Sequence, residues 1–257
     1  MLGFGYYNMD CMQGMKEFPD KYFDLAIVDP PYGDGGVNGQ ELNGSGKGST
    51  VTGVPRGGGT AKTSTTCKHW QGANSKAPDG TWKLPKWRMQ NESEGQHKKI
   101  IAWDVAPGQE YFNELFRISR NQIIWGGNYF ELPKTRCFLI WRKTNVPQDF
   151  SMAMCEYAWT SFNDNAKVFE YTPQGRPSDN RFHPTQKPVA LYEWILNRYA
   201  KEGDKILDTH VGSGSSLIAC RNTNHKYVGF EIDADYYRLA KERIDRESAQ
   251  MNIFDFM

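Results

Sequence analysis

Nothing in this chain of 257 residues approaches the run of about eighteen apolar residues that a membrane-spanning helix needs, and the first twenty residues carry no basic start followed by an apolar stretch. The sequence therefore predicts an intracellular, cytoplasmic protein with no membrane partner. Cysteine is sparse: Cys11, Cys67, Cys137, Cys155 and Cys220 are odd in number and contain no Cys-x-x-Cys pair. A disulfide framework is excluded, and reduced thiols are expected. Cys67 and His69 stand close together but lack the further ligands of a zinc site, so no metal is expected. Charge of one sign is missing too. A net charge of +1 gives no overall pull toward a polyanion, so any nucleic-acid binding must come from a local patch. No internal repeat is visible, which leaves an ordinary globular domain with an apolar core.

What is present divides into two kinds of sequence. From Met1 to Tyr32 a short apolar start leads to a candidate helix at Cys11–Phe18 and a strand at Asp24–Val28. At Gly33 the composition changes. Glycine and threonine crowd residues 33–60 with almost no apolar periodicity, and the mean hydropathy of the whole chain falls to −0.69. That is the signature of a flexible segment. Across residues 33–99 there are ten Lys and Arg against five Asp and Glu, interleaved with Trp70, Trp82 and Trp87. Basic groups beside aromatics suit phosphate contact and base stacking, and a merely solvated basic insertion gives the same composition.

Regular patterning returns near Ile100. Tyr111–Ser119 carries apolar residues at helical spacing, Gln122–Trp125 reads as a strand ending at Gly126 and Gly127, and Cys137–Trp141 and Tyr157–Phe162 read as two more. Pro188–Tyr199 is a helix with proline at its start, Lys205–Leu207 a strand, Ser215–Arg221 a helix, Tyr227–Ile232 a strand and Asp235–Ala249 a long charged helix. Strands alternating with helices predict an α/β fold with a doubly wound, mostly parallel sheet and helices on both faces, interrupted by the insertion at 33–99.

Three clusters carry chemistry. Asp29, Pro30, Pro31 and Tyr32 follow the apolar run Leu25–Val28, so an acid, two prolines and an aromatic ring stand at a strand's carboxyl end. Proline lacks an N–H, which leaves local carbonyls available to an amine; Asp29 adds a second acceptor, and Tyr32 offers a π-face to a base. Asp208, Thr209, His210, Val211, Gly212, Ser213 and Gly214 follow another strand and open a helix, and Glu231 ends the next strand. Glycines there permit a tight turn and close approach of a ligand, and an acid about twenty residues on suits ribose hydroxyls. The third glycine of the dinucleotide fingerprint is missing, which disfavours nicotinamide. The third cluster, His183, Pro184, Thr185, Gln186, Lys187 and Pro188, precedes a helix start that can meet an anion. Near the amino end, Asp10 and Cys11 stand before a helix, where an aspartate also serves as an N-cap.

Taken together, these clusters resemble the amino-methyltransferase family of bacterial and phage DNA modification enzymes in its β arrangement, with the Asp-Pro-Pro-Tyr motif ahead of the glycine motif. The resemblance covers Met9–Tyr32 and roughly Tyr111–Tyr237. It implies a single Rossmann-like methyltransferase domain over 1–257, with S-adenosylmethionine as cofactor. It implies N6 methylation of a flipped-out adenine in double-stranded DNA, within a bacterial or phage-infected cell. By the same resemblance Asp29, Pro30, Pro31 and Tyr32 hold the base, while Asp10, Cys11, His183, Thr185, Lys187, Asp208, His210, Gly212, Ser213, Gly214 and Glu231 line the cofactor site. His210 departs from the family, which usually has Phe there. Cytosine N4 is the rival substrate, since Asp at position 29 points to adenine and Ser would point to cytosine. A silent DNA-binding module and a doubly wound oxidoreductase are the readings from other classes. A homodimer and a restriction endonuclease partner are both compatible with the family, and residues 33–99 are the candidate target-recognition segment.

Overall fold

A computed structural model of the chain describes residues 1–33, 105–146, 153–175 and 181–254. The chain divides into two compact units, residues 1–32 with 106–257 and residues 33–105, and the described residues belong almost entirely to the first. Of the insertion expected at 33–99, all but Gly33 lies outside the described residues.

The elements in chain order are β1 (Gly5–Asn8), α1 (Cys11–Met15), β2 (Phe23–Val28), α2 (Gln109–Ile118), β3 (Ser119–Trp125), a 3-10 turn (Gly127–Tyr129), β4 (Phe138–Lys143), β5 (Cys155–Thr160), β6 (Lys167–Tyr171), α3 (Val189–Tyr199), β7 (Lys205–Asp208), α4 (Ser215–Asn222), β8 (Lys226–Glu231) and α5 (Ala234–Phe254). They form one eight-stranded sheet in the order β1-β8-β7-β2-β3-β5-β4-β6. The run from β1 to β3 is parallel, β5 is antiparallel to both of its neighbours, and β4 pairs with β6 in parallel. This is the expected α/β, mostly parallel sheet.

Alternation along the strands gives the sheet two buried faces. Leu25, Ile27, Ile123, Trp125 and Ile206 pack with Leu191, Ile195 and Leu196 of α3 and Leu217 and Ile218 of α4. On the other face Ala26, Val28, Ile124, Leu207, Val228 and Phe230 pack with Met15 of α1 and Tyr111, Phe112, Leu115 and Ile118 of α2. In α2 the buried positions recur at helical spacing, which is why this segment folds as a helix against the sheet. Fully burying an aliphatic or aromatic side chain of this size contributes about 1.5–3 kcal/mol, so these two layers fix where each strand ends.

Several boundaries differ from the sequence reading: β3 begins three residues earlier, at Ser119, β4 runs to Lys143, and α5 runs to Phe254. Helix α1 stops at Met15, and Phe18 closes a tighter turn by donating its N–H to the Met15 carbonyl at 3.1 Å. Gly14 within it and Pro19 after it both weaken continuation. Strand β5 begins and ends two residues earlier than expected, because Thr160 is its last residue paired to β3. Strands β1 and β6 were not anticipated; both lie at sheet edges, where burial is slight and the apolar signature weak. Among the described residues, no helix is long and apolar enough to cross a membrane.

Candidate active site

In the sheet β7 and β2 are neighbours, with Leu25 opposite Ile206 and Ala26 opposite Leu207. Asp29 and His210 each lie three residues further along, so the acid motif and the glycine turn leave adjacent strands at the same edge. From this point the chain winds outward in opposite directions, β2 to β3 and β7 to β8. Such a switch point leaves a crevice outside the carboxyl ends of the strands, where α/β proteins place ligands. Glu231 ends β8 opposite Asn8 of β1, which brings Asp10 to the same edge.

The glycine turn is built around left-handed backbone. Gly212 has φ +53° and Gly214 φ +81°. A Cβ at Gly212 would lie 3.1 Å from the His183 ring, so the absence of a side chain lets the His183 loop close onto the turn. Both oxygens of Glu231 accept backbone N–H groups, one from Gly212 and one from Asp233, each at 2.9 Å. Glu231 thus ties the end of β8 to the turn. Burial pushes its carboxyl up. Asp208 accepts the His210 N–H at 3.0 Å and the Ser216 hydroxyl, and burial raises its carboxyl to about 7. Ser213 is buried, with its carbonyl accepting from Arg243 Nη1 at 3.0 Å.

The two histidines around this turn are held neutral. Burial lowers His183 to about 3, with Lys187 and Arg181 adding to the effect, and lowers His210 to about 4. His183 packs edge-on against Tyr236 and shares a 3.1 Å hydrogen bond with Thr185 Oγ1. His210 shares one of 2.9 Å with Thr209, which also bonds the Tyr111 hydroxyl at 2.6 Å. Asp10 is the N-cap of α1, its carboxylate accepting the Gln13 N–H at 3.0 Å. The N-cap reading of Asp10 therefore describes its place in the fold, and a cap occupies one of its two oxygens. Burial, with Asp10 beside it, pushes the Cys11 thiol up to about 12.

Asp29 is gripped from both sides. Tyr32 donates its hydroxyl to Oδ1 at 2.6 Å, and the Lys187 ammonium bonds Oδ2. Lys187, read from the sequence as facing a ligand anion, has its ammonium between Asp29 and Glu156, 3.1 Å from the latter. The third cluster thereby spans the crevice, meeting the glycine turn through His183 and the acid motif through Lys187. The Tyr32 ring stacks on Tyr129 with centroids 4.9 Å apart and planes 19° from parallel.

Several residues here were not singled out by sequence. Gly126 and Gly127 were read only as the end of β3, yet Gly126 has φ +66° and a Cβ there would overlap the Tyr32 ring. A glycine pair at the carboxyl end of a parallel strand is the signal that could have found them. Glu156 and Lys143 join the site from β5 and β4, 2.7 Å from each other. A lone carboxylate just before the apolar stretch Tyr157–Trp159 was the only trace of the former. Among the described residues no group of His, Cys, Asp and Glu is arranged to hold a metal ion.

Residues 62–242 match a sequence profile described as DNA methylase. The chain is 46% identical over 83 residues to the type II methyltransferase M.HpaI of Haemophilus parainfluenzae, a stretch covering 32% of this chain and 26% of that protein. It is 24% identical over 262 residues to the type II methyltransferase M2.MboI of Moraxella bovis, covering 93% of this chain and 87% of that one. In the first of these, and in M2.DpnII of Streptococcus pneumoniae, the matched stretch is only about a quarter of the relative's length. Among solved structures, the crystal structure of an M1.HpyAVI–SAM complex superposes with a TM-score of 0.51 at 17% identity, covering 93% of this chain and 98% of that one, a likeness of fold.

Proposed function

The chain belongs to the DNA methylase family, and on that premise we propose that it transfers a methyl group from S-adenosylmethionine to the exocyclic N6 of an adenine flipped out of double-stranded DNA. One observation carries this reading: Asp29, with Pro30, Pro31 and Tyr32, leaves β2 beside the glycine turn that leaves β7, so an amine-holding acid and a cofactor turn face one crevice.

The residues present fit the cofactor. Gly212 and Gly214 form a turn that a Cβ would fill, and Glu231 and Asp10 bring acceptors to the edge of the same turn. Asp10, Cys11 and Glu231 would meet the nucleoside part. Asp208, His210, Gly212, Ser213 and Gly214 would meet the methionine part, with His183 and Thr185 closing the far side. S-adenosylmethionine, when bound, supplies an electrophilic sulfonium methyl.

The amine of adenine is a weak nucleophile, because its lone pair is delocalised into the ring. Asp29 and the Pro30 carbonyl accept its two N–H groups, which favours a tetrahedral nitrogen with the lone pair turned toward the glycine turn. As positive charge grows on that nitrogen the same two acceptors stabilise it. Hydrogen bonds to a charged group contribute about 1.5–3 kcal/mol each, and positioning both reactants adds several more, so neither a covalent intermediate nor a metal is needed. Tyr32 offers its ring to the base and recovers part of the few kcal/mol that unstacking costs. Buried, neutral His183 and His210 line the cofactor side without adding positive charge beside a sulfonium.

The family spans N6 and N4 chemistry, and the choice of adenine rests on the acid at position 29. Nucleoside analysis by mass spectrometry of double-stranded DNA incubated with the protein and S-adenosylmethionine tests it. N6-methyldeoxyadenosine is expected. N4-methyldeoxycytidine would overturn the base assignment, and no methylated nucleoside would overturn the activity.

A further inference from the structure

Behind Asp29 the structure holds four side chains of alternating charge: Asp29, Lys187, Glu156 and Lys143. Lys187 bonds Asp29 and lies 3.1 Å from Glu156 Oε2, and Lys143 lies 2.7 Å from Glu156 Oε1. The side chains of Lys187 and Lys143 are only 3% and 8% exposed. The Lys187 ammonium also sits 5.3 Å from the centre of the Trp125 ring, and Lys143 5.1 Å from that of Trp141. Formal charges in this row cancel.

We propose that Glu156 and Lys143 are positioning residues for Asp29: by sharing Lys187 with Asp29, Glu156 fixes where that carboxylate points and leaves it capacity to accept an amine, while Lys143 holds Glu156 in place. The inference rests on the proposed methyl transfer. A buried ammonium with one carboxylate partner draws that partner into a closed pair, and the acceptor sites on it are spent there. Two carboxylates divide the charge and the donors of Lys187 between them. Glu156 suits the task because it lies on β5 opposite Trp141 of β4, in a strand whose Ala158–Thr160 stretch also pairs with β3, so its backbone is held by the sheet. Lys187, by contrast, lies on the loop just before α3 and depends on its partners for position. Tyr32 completes the hold from the other side of Asp29.

Electrostatics agree with the geometry. Burial alone would depress the Lys187 ammonium, but Asp29 and Glu156 outweigh it and raise it above an ordinary lysine. Burial alone would push Glu156 up, but Lys187 and Lys143 hold it below the usual carboxylate range. Among the described residues, the other titratable or charged groups facing this row are Tyr32 after β2, Tyr111 on α2, Arg181 and His183 in the loop of Lys187, Tyr192 on α3 and Asp208 at the end of β7.

The test uses the full chain, S-adenosylmethionine and adenine-containing duplex DNA, with single-turnover methyl transfer measured from about pH 6 to about pH 10. The variants are Glu156→Gln and the double variant Lys143→Met with Glu156→Gln, which removes the outer pair without leaving a lone charge. Lysine Nζ signals followed by NMR, assigned with Lys187→Met, report the proton on Lys187 whether or not transfer occurs. Both variants are expected to transfer methyl at least tenfold more slowly at neutral pH. Both are also expected to lose activity at lower alkaline pH than the wild type, with the Lys187 signal titrating earlier to match. A Glu156→Gln protein with the wild-type rate and pH profile overturns the inference, as does recovery of both by the double variant or an unmoved Lys187 titration. A wild-type protein that methylates no DNA fails the functional reading itself, and is distinguishable from any of these results.

Discussion

Replacing Gly126 by alanine should disable Tyr32 without touching it. Gly126 sits at φ +66° and ψ +20°, and a Cβ there would lie 2.1 Å from Tyr32 Cε1, 2.5 Å from Cζ and 2.6 Å from Cδ1. Those three distances place the added carbon over the face of the ring, so the ring must leave. The left-handed backbone alone costs an alanine about 1–2 kcal/mol, partly offset by the stiffer unfolded chain. Gly203 measures that part separately: its φ is +84°, and a Cβ there meets nothing within 4 Å. Displacing Tyr32 adds the loss of its stack on Tyr129, about 0.5–1.5 kcal/mol, and of its 2.6 Å bond to Asp29, about 1–2 kcal/mol after solvent screening. Gly126→Ala should therefore destabilise by about 2–3 kcal/mol more than Gly203→Ala, at about 2–4 °C of melting temperature per kcal/mol for a chain of this size. Adding Tyr32→Ala removes the clash, so a double-mutant cycle should return a coupling of about 2 kcal/mol. Thermal melts measure the wild type and all four variants, and fluorescence of 2-aminopurine at the target position reads base capture. Equal destabilisation by Gly126→Ala and Gly203→Ala, with base capture intact, would refute the packing argument.

Asp29→Ala should lower methyl transfer by several orders of magnitude; a variant within tenfold of wild type would contradict its role as amine acceptor. Tyr32→Ala should abolish the 2-aminopurine fluorescence rise on DNA binding, and an unchanged rise would count against stacking of the flipped base. Stability should fall with acid, because buried His183 and His210 stay neutral to about 3 and about 4 while their unfolded counterparts protonate below about 6.5. Their contribution is complete above that pH and fades below it, by about 1.4 kcal/mol per pH unit for each proton. Asp208 has the opposite sign, since its carboxyl, raised to about 7, binds a proton in the folded state that the unfolded chain releases near pH 4. Asp208→Asn should then steepen the acid loss of stability by about 1.4 kcal/mol per pH unit between about pH 4.5 and 6.5; chemical denaturation at several pH values checks this, and an unaltered slope would sink it.

The edge that carries the site was legible because each motif adjoins its own strand. Asp29 follows the apolar run of β2, Gly212 follows β7 and Glu231 closes β8, so local sequence was enough to put them at carboxyl ends. Parallel winding then forces those ends to one side. Strands β1 and β6 were illegible for the opposite reason: as edge strands they bury little, and Lys167–Tyr171 alternates only between exposed and half-buried residues. Glu156 escaped because its contact with Lys187 spans more than thirty residues of chain, and Lys143 because it reaches the site only through Glu156; spacing in sequence carries no record of such contacts. Lys187 was read from the sequence as meeting a ligand anion, whereas in the structure its anions are Asp29 and Glu156 of the chain itself.

The central claim is that the Asp29 carboxylate and the glycine turn at 212–214 work on the same two reactants across one crevice. Transfer of radiolabel from S-adenosylmethionine into duplex DNA, measured for the wild type and for Asp29→Ala beside calorimetric cofactor binding for both, tests it most directly. Labelled DNA from the wild type alone, with matching cofactor affinity in the two proteins, is the predicted result. Equal labelling by both, or none by the wild type despite bound cofactor, would contradict it.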